Sequence, residues 1–524
     1  MGQYYHQDEY RWVSQVYTAE FGEVDSPHPP IMQNLLSLGG KIFGYDNLRA
    51  VPFIFGIFNL LLIYALSLKA TGNKKIAYLA AGLYTVNVYS LIANLMIDID
   101  GAVLPFFVLS TYYFYFRAIK DGEKKFILPL IVVIIAGLLT KLSYILFAGA
   151  LAVEYLLILY DKGKFKCEIK RAGLILAISG IFIVGLYILY GKVDPGFAGY
   201  FTNFKMFNFA SRAYFDLFLR LFKFFIWFSP LLFLPMAYGL FKKDIFKKYR
   251  IWYIYAVFNF IFYLIIFDFA RLPIERYFMF IIAPAVLISA DVIYSFISKF
   301  DKKYSLFSLV GFVLLLVAVL SLSHEVIPLN PKEAYVDKIK NLDFNFLIPM
   351  TGGSGPIGFY VSAQFVLWAW AISIAALLYS SVAKRYKEAT VIIFIVFGVG
   401  YNILLSNEYL FGSLYGSVDK VAKETIEYAN SSDSVEQVIT YYDIGAYYLR
   451  LSGKYYSRFY TAPKRDYTPK IESYRGQYMI VDFPAIDKKS EYWRLISRCD
   501  LDKKFTDKYV ESYIFDCQAL PVKL

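Results

Sequence analysis

The sequence predicts a polytopic α-helical membrane protein with about 12 transmembrane helices, followed by a small extracytoplasmic α/β domain. Hydrophobic residues make up 58% of the 524 residues and aromatic residues 20%, whereas a soluble domain is roughly 45–50% apolar. Mean hydropathy is +0.47. The apolar residues form runs long enough to cross about 30 Å of hydrocarbon, and the C-terminal part of the chain lacks such runs.

Twelve apolar segments are candidates for membrane helices, and several of them are short for a full crossing. An α-helix needs about 20 residues to span the hydrocarbon layer. The segments lie near residues 51–69, 76–94, 102–117, 126–141, 143–160, 172–191, 221–241, 251–268, 277–298, 305–324, 358–380 and 389–406.

The basic residues alternate along these segments. Six alternate connections together carry 23 Lys and Arg, whereas the short connections between them carry only Lys141, Arg271 and Arg276. Because cytoplasmic loops are enriched in Lys and Arg, we expect a multi-pass protein of the plasma membrane. Its N-terminus, the loops 192–220 and 325–357, and the tail after 407 are predicted to be extracytoplasmic.

The net charge of +12 does not indicate a nucleic-acid-binding protein. Binding a phosphate backbone requires a concentrated basic surface, and here the basic residues lie in small clusters between apolar runs. The charge therefore fits membrane topology, and no nucleic-acid partner is expected.

Three domains follow from these patterns: an external acidic loop with juxtamembrane helices (1–50), a transmembrane domain (51–406) and an external α/β domain (407–524). From about Ser417 the sequence becomes more polar. The segment 417–524 is long enough to fold around its own hydrophobic core. Its patterns predict helices at Val418–Tyr428 and Glu491–Ser497, and strands at Gln437–Tyr441, Gln477–Asp482 and Tyr509–Phe515.

The cysteines differ in their predicted compartments. Cys499 and Cys517 lie in the external tail, whereas Cys167 lies in a cytoplasmic connection. Disulfides persist in oxidising compartments, so we predict a Cys499–Cys517 disulfide. No set of His, Cys and carboxylate residues has the spacing of a zinc site. A divalent cation at the carboxylates stays open, because oxygen ligands leave no fixed spacing.

Ionisable residues near membrane depth gather on the predicted external side. Cations there would hold a leaving phosphate, and a carboxylate would take a proton from an attacking hydroxyl or amine. This convergence predicts chemistry on a phosphate-bearing lipid. The residues are Asp8, Glu9, Arg11, Asp98, Asp100, Lys141, Arg271, Glu275 and Arg276.

Each of these residues also fits a purely structural role. Asp8 and Glu9 fit a first-turn acidic pair that stabilises a helix over residues 10–18. Asp98 and Asp100 fit helix caps, and Lys141 fits a side chain that extends to the interface. In the same way, Arg276 with Tyr277 fits an interfacial anchor, and His28 fits a turn.

The order of several short motifs resembles the GT-C glycosyltransferases. The resemblance is to the dolichyl-phosphate-mannose protein mannosyltransferase superfamily, especially its aminoarabinose-transferase-like branch, and it covers roughly residues 1–300. The motifs are Asp8-Glu9-Tyr10-Arg11, His28-Pro29-Pro30, Phe43-Gly44, Arg49, Asp100-Gly101-Ala102-Val103-Leu104, Leu139-Thr140-Lys141, and Arg276-Tyr277 with Pro284.

The resemblance implies a GT-C fold and a hexosyl- or pentosyltransferase. It implies a polyprenyl- or dolichyl-phosphate-linked sugar as donor, with an extracytoplasmic lipid, glycan or protein as acceptor. Under it, Arg11, Lys141 and Arg276 bind the donor phosphate, and Asp8 is the base or orients the acceptor. It further implies that Glu9 and Asp100 position the acceptor or Asp8; secondary candidates are Asp98, His28 and Arg49.

Two alternatives stay open. The family has a membrane helix before the acidic loop, whereas this chain begins at the loop, so we expect either a misassigned start or a truncated, inactive relative. A transporter or lipid flippase could use the same charged cavity. Transporters commonly show internal repeats and charges at the bilayer midplane, and neither pattern is evident in the sequence.

Overall fold

The fold is described from a computed structural model. It describes Glu9, Trp12, Val13 and Val16 and then the ranges 29–193, 214–266, 274–298, 300, 302–323, 337–350, 358–382, 386–431, 438–440, 459–461, 477–482 and 496–517. The chain forms two compact units, Gln15–Asp301 and Lys302–Leu524 together with Met1–Ser14.

In its described residues, the unit Gln15–Asp301 has helices as its regular secondary structure and contains no strand. Three π turns, at Ile99–Val103, Phe116–Lys120 and Phe262–Ile266, extend neighbouring helices. The α-helices are α1 (Ile31–Phe43), α2 (Ala50–Thr71), α3 (Lys74–Val86), α4 (Val88–Leu95), α5 (Leu104–Tyr115), α6 (Ile127–Leu138), α7 (Tyr144–Asp161), α8 (Phe165–Val193), α9 (Tyr214–Phe228), α10 (Pro230–Leu240), α11 (Lys243–Ile261), α12 (Ile274–Tyr277) and α13 (Ile282–Ile297).

Two membrane helices are interrupted at polar residues. Between α3 and α4 the chain bends by 68° at Asn87, whose side chain accepts a hydrogen bond from the Ser90 N–H (3.1 Å) and so caps α4. Between α9 and α10 the buried Ser229 has a φ of 62°, and Pro230 starts α10. The Asn87 amide donates to the Ser229 hydroxyl (3.5 Å), so the two interruptions meet inside the bundle.

Helix α13 lies at the centre of this unit. It packs against α3, α10 and α11, and 83% of its apolar window, the highest share among the candidate spans described, is buried in protein. A helix that is apolar on all sides must be covered by other helices or by lipid. Here the covering is mostly protein.

The multi-pass helical fold is confirmed, but the number of twelve spans is not. By length and composition, eight helices in the described part of the chain can cross a membrane, or nine if α3 and α4 form one bent span. The predicted segment 126–141 yields a helix of only 12 residues, and 221–241 is broken at Ser229. The hydropathy of residues 221–241 gives no sign of the break at Ser229.

The unit Lys302–Leu524 combines membrane helices with a sheet. Strands β1 and β2 pair antiparallel, with Leu347 opposite Ser362. The larger sheet has the order β4-β3-β5-β7-β6, in which β3 is parallel to β4 and β5 and the other pairs are antiparallel. The elements are α14 (Lys302–Leu322), β1 (Leu347–Met350), β2 (Phe359–Ser362), α15 (Ala363–Val382), α16 (Lys387–Phe411), α17 (Val418–Ser431), β3 (Val438–Thr440), β4 (Phe459–Thr461), β5 (Gln477–Asp482), β6 (Asp500–Asp507) and β7 (Val510–Asp516).

The C-terminal elements largely follow the sequence pattern. Strand β5 has the predicted bounds, and β3, β7 and α17 lie within a few residues of theirs. Strand β6 was not predicted, because an exposed edge strand rich in Asp and Lys lacks an apolar alternation. The predicted helix Glu491–Ser497 lies mostly outside the described residues. The domain boundaries at 50 and 406 remain predictions.

A disulfide joins the two ends of the β6–β7 hairpin. The structure places Cys499 and Cys517 in bonding contact, with their Cα atoms 4.9 Å apart. Cys499 comes directly before β6 and Cys517 directly after β7. The crosslink therefore closes the open end of the hairpin.

The connection between α16 and the sheet is held by the buried Glu408 and the partly buried Asp507. Glu408 accepts hydrogen bonds from the backbone N–H groups of Leu414 and Tyr415, each 2.8 Å long. Asp507, at the end of β6, accepts one from the Ser417 N–H (2.8 Å). These bonds fix the path of the chain from α16 to α17.

We predict that Gly416→Ala destabilises this unit. Gly416 has a φ of 110°, and a Cβ there would lie 2.0 Å from the Asp507 carbonyl oxygen. Because backbone strain of this kind costs about 1–3 kcal/mol per residue, the thermal unfolding midpoint of the purified protein should fall. The control is Gly311→Ala, since a Cβ at Gly311 meets no atom within 4 Å. Equal midpoints for both variants would contradict the prediction.

Candidate active site

Two acidic residues come from one turn between α4 and α5. Asp98 has extended backbone angles (φ −149°, ψ 156°), and its carboxylate accepts a hydrogen bond from the Asp100 N–H (3.1 Å). Residues two apart in a regular helix point in opposite directions. The extended residue followed by a π turn allows both carboxylates to face one cluster.

Two cations approach these acids from other segments. Lys141 lies in the turn between α6 and α7, and Arg276 lies in the short helix α12. Asp100, Lys141 and Arg276 each precede or begin a candidate span, namely Ile99–Lys120, Tyr144–Asp161 and Met279–Ile297. The three spans therefore begin where the four charges meet.

The four side chains form two buried ion pairs. Lys141 Nζ lies 2.6 Å from Asp100 Oδ1 and also contacts Oδ2. Arg276 Nη1 lies 2.8 Å from Asp98 Oδ2. The side chains are between 5% and 11% exposed. We call Asp98, Asp100, Lys141 and Arg276 the four-charge cluster.

Tyr277 joins the two cations. Its ring centroid lies 4.8 Å from Lys141 Nζ and 4.5 Å from Arg276 Cζ, and its hydroxyl accepts a hydrogen bond from Arg276 Nη2. Aromatic faces attract cations at these distances. Both cations are thus held by a carboxylate and by a shared ring.

A small cavity borders the cluster on the bundle side. Its volume is about 10 Å³, close to the minimum that holds one water molecule. It is too small for a sugar, so a ligand of that size would have to bind elsewhere along the cluster. Its polar lining consists of Asp100, Ser143, Asn259, Tyr255, Tyr263 and Tyr277.

The first helix approaches the turn that carries Lys141. The Ile31 N–H, in the first turn of α1, donates to the Leu139 carbonyl (3.3 Å). Pro29 and Pro30 directly precede Ile31. Two motifs separated by more than a hundred residues in the sequence are therefore neighbours.

The other predicted site residues are placed less completely. Asp8, Arg11 and His28 lie outside the described residues, as does Arg271. Glu9 is fully buried, and the partly exposed Arg49 precedes the first residue of α2. Roles in a reaction for all predicted site residues remain predictions.

Two of the structural interpretations can be compared with the geometry. Asp98 is a cap, because it accepts from the Asp100 N–H, and it also pairs with Arg276. Lys141 is buried against Asp100, so extension to the interface does not describe its side chain. Asp98 thus combines a cap with an ion pair, and Lys141 forms a buried ion pair in place of an interfacial contact.

The prediction that all ionisable groups near membrane depth lie on the external side is incomplete. Glu154, within α7, is buried and bonded to Arg250 (2.9 Å). Asp291, within α13, pairs with Lys248 (2.8 Å). Both acids interrupt predicted apolar segments, a signal that could have identified them. They lie on the opposite halves of their spans from Lys141 and Arg276.

The carboxylates of the cluster face the two cations. Within the described ranges, no three His, Cys, Asp or Glu side chains lie close enough to share a metal ion. Asp98 and Asp100 direct their oxygens at Arg276 and Lys141.

We predict that Lys141→Met strongly destabilises the protein. Removing one partner of a buried ion pair leaves an uncompensated charge and costs about 3–5 kcal/mol. The midpoint of thermal unfolding should fall, and a second change, Asp100→Asn, should recover most of the loss.

The control for this prediction is Lys125→Met. The Lys125 side chain is 73% exposed and lies 3.5 Å from Glu123, and exposed pairs contribute about 0–1 kcal/mol. A Lys141→Met protein as stable as the Lys125→Met protein would show that the Lys141–Asp100 pair is not a buried pair in solution.

The chain was compared with known proteins. Residues 27–187 match the family described as dolichyl-phosphate-mannose-protein mannosyltransferase. This range contains Asp98, Asp100 and Lys141 and ends before Arg276. No curated protein matches.

Two solved structures of ArnT from Cupriavidus metallidurans share the fold. One is the apo state and the other is bound to undecaprenyl phosphate. Each matches with a TM-score of 0.54 at 14% sequence identity, over 98% of this chain and 94% of ArnT. The predicted resemblance is therefore confirmed: this is a multi-pass membrane protein of GT-C fold, similar to the mannosyltransferase family over residues 27–187 and to ArnT in its fold.

Proposed function

We propose that this protein is a membrane glycosyltransferase that transfers a sugar from a polyprenyl-phosphate donor to an extracytoplasmic lipid, glycan or protein. The observation that carries the proposal is the four-charge cluster, in which two nearly buried cations are held at the start of three membrane spans. Ionisable groups at such depth are costly and usually mark a functional site.

The two cations suit a lipid-linked phosphate. Arg276 offers a planar fork of donors and Lys141 a compact ammonium, and both bind phosphate by charge-assisted hydrogen bonds. Asp98 and Asp100 would keep these cations in place and balance their charge while no donor is bound. Arg11 would add a third positive charge, and the isoprenoid chain would lie along the membrane helices.

The transfer itself would need a base for the acceptor. The acceptor hydroxyl or amine attacks the anomeric carbon and loses its proton to Asp8. The bond between that carbon and the phosphate oxygen breaks through an oxocarbenium-like transition state, and the electron pair leaves with the lipid phosphate. The cations stabilise the charge that develops there. Glu9 and Asp100 would position the acceptor or Asp8.

The comparisons support the donor class. ArnT binds undecaprenyl phosphate in one of its two matching structures, and the family that matches residues 27–187 is named for transfer from dolichyl-phosphate-mannose. The two cations at the start of the spans suit a lipid phosphate. Radiolabel transfer from different lipid-linked sugars would identify the sugar.

The site and the C-terminal domain are proposed to face the extracytoplasmic side, where the domain would help to select the acceptor. The 23 Lys and Arg of the alternate connections support this orientation. The Cys499–Cys517 disulfide also supports it, because disulfides form in oxidising compartments.

We predict that membranes containing the protein transfer label from polyprenyl-phosphate-linked sugars, and that Asp8→Asn lowers turnover at least about 100-fold, the usual contribution of a general base. Binding of undecaprenyl phosphate should survive this change, because Asp8 does not hold the phosphate. Radiolabel transfer and lipid binding measure the two effects separately.

The matched control is Asp244→Asn, since Asp244 is exposed at the start of α11. Wild-type turnover in the Asp8→Asn protein would eliminate Asp8 as the base. Absence of transfer from every lipid-linked sugar tested, with undecaprenyl phosphate still bound, would contradict a transferase and favour lipid transport.

The orientation gives a separate prediction. In intact cells, a membrane-impermeant maleimide should label Cys499 only after reduction with an impermeant phosphine, because its partly exposed thiol is then external and free, whereas Cys517 is only 2% exposed and should react less. Mass spectrometry of the two peptides measures the labelling. Cys167, in a predicted cytoplasmic connection, is the internal control and should react only after permeabilisation. The reverse pattern would invert the proposed topology.

A further inference from the structure

We infer that Asn59, on α2, is a positioning residue for the four-charge cluster. Its side chain is fully buried, and its Nδ2 donates a 2.8 Å hydrogen bond to the Ala102 carbonyl. Ala102 lies in the π turn that begins directly after Asp98 and includes Asp100. The effect on donor binding rests on the function proposed above, whereas the hold on the turn rests on geometry.

The π turn needs an outside partner. In it the Leu104 N–H donates to the Ile99 carbonyl, five residues earlier, so the turn is wider than an α-helix. Pro105 follows and has no N–H to offer the Gly101 carbonyl. A span can keep irregular backbone in a membrane only where protein satisfies its polar groups. Asn59 supplies a bond from the neighbouring helix to another carbonyl of this turn, that of Ala102.

The turn is also held from the side of α4. A Cβ at Gly101 would lie 2.3 Å from the Ala93 carbonyl oxygen, so the backbones of the turn and of α4 are in direct contact. Only glycine permits this approach. The turn is therefore clamped between Asn59 of α2 and the C-terminal end of α4.

The contacts that Asn59 and Ala93 make with the turn determine the directions of the Asp98 and Asp100 side chains. A π turn contains one residue more than the α-helical turn it replaces, and each helical residue rotates the chain by about 100°. Relaxation to regular helix would therefore swing Asp100 about 100° around the axis of α5. Asp100 would then lose Lys141, and Asp98, bonded to the Asp100 N–H, would shift relative to Arg276.

The chain offers a matched control at Asn402, in α16. Its side chain is also fully buried, and its Nδ2 donates to the Gly398 carbonyl of its own helix (2.7 Å). Asn402→Leu therefore removes a buried amide of equal size, with its hydrogen bond to a backbone carbonyl, from a span that does not carry the cluster. It reproduces the structural cost of losing a buried asparagine.

The test compares full-length Asn59→Leu and Asn402→Leu proteins in detergent. Carbodiimide-driven labelling of Asp98 and Asp100 with glycine ethyl ester, read by mass spectrometry, reports on the acids without reference to activity. We expect Asn59→Leu to raise this labelling, and to weaken undecaprenyl-phosphate binding, about tenfold, as the loss of a buried hydrogen bond would. Asn402→Leu should leave both at wild-type values.

A second pair of variants tests the same inference if the Asn59→Leu protein does not fold. Gly101→Ala should produce the same two changes, because the added Cβ forces the turn away from Ala93. Its control is Gly82→Ala, where a Cβ meets no atom within 4 Å.

The outcomes separate the two proposals. Wild-type labelling of Asp98 and Asp100 in both Asn59→Leu and Gly101→Ala would overturn the positioning role. If labelling rises but the wild-type protein binds no undecaprenyl phosphate, the positioning role stands and the proposed donor class fails.

Discussion

The pairing of two carboxylates with two cations inside a membrane bundle is the constraint on which the candidate site depends. Charges removed from water are tolerated only when they are paired and hydrogen-bonded. Asp98 and Asp100 lie in one turn, whereas their partners Arg276 and Lys141 come from two other segments. All four charges are therefore paired only if the three spans begin at the same level. The cluster is thus both a candidate phosphate site and a condition for correct packing.

Irregular backbone makes this pairing possible. Regular helices cannot aim Asp98 and Asp100 at the same cluster, because residues two apart point in opposite directions. The chain instead bends at Asn87, becomes extended at Asp98 and forms a π turn before α5. Each departure from regular helix is supported by a side chain, with Asn87 capping α4 and Asn59 bonding the turn. The neighbouring helices therefore determine the geometry of the site.

The opposite halves of the spans carry a different kind of polar packing. Glu154 bonds to Arg250, and Asp291 bonds to Lys248. Just outside the span, the hydrogen bond from Arg117 lowers the pKa of Glu123 from its usual value. The pairs Glu154–Arg250 and Asp291–Lys248 link neighbouring helices close to the basic connections between spans.

The sequence by itself determined the fold class and the presence of an α/β domain, and it placed the four residues of the charged cluster among nine candidates on one predicted side of the membrane. Lipid requires long apolar runs, and the order of Asp98, Asp100, Lys141 and Arg276 along those runs predicts a shared membrane face. Only the tertiary structure decided which acid holds which cation, and it added Asn59, Glu154 and Asp291. The physical reason is distance along the chain. The two pairs link residues 41 and 178 positions apart, so their formation depends on how helices pack and where they break, which local hydropathy and spacing do not record.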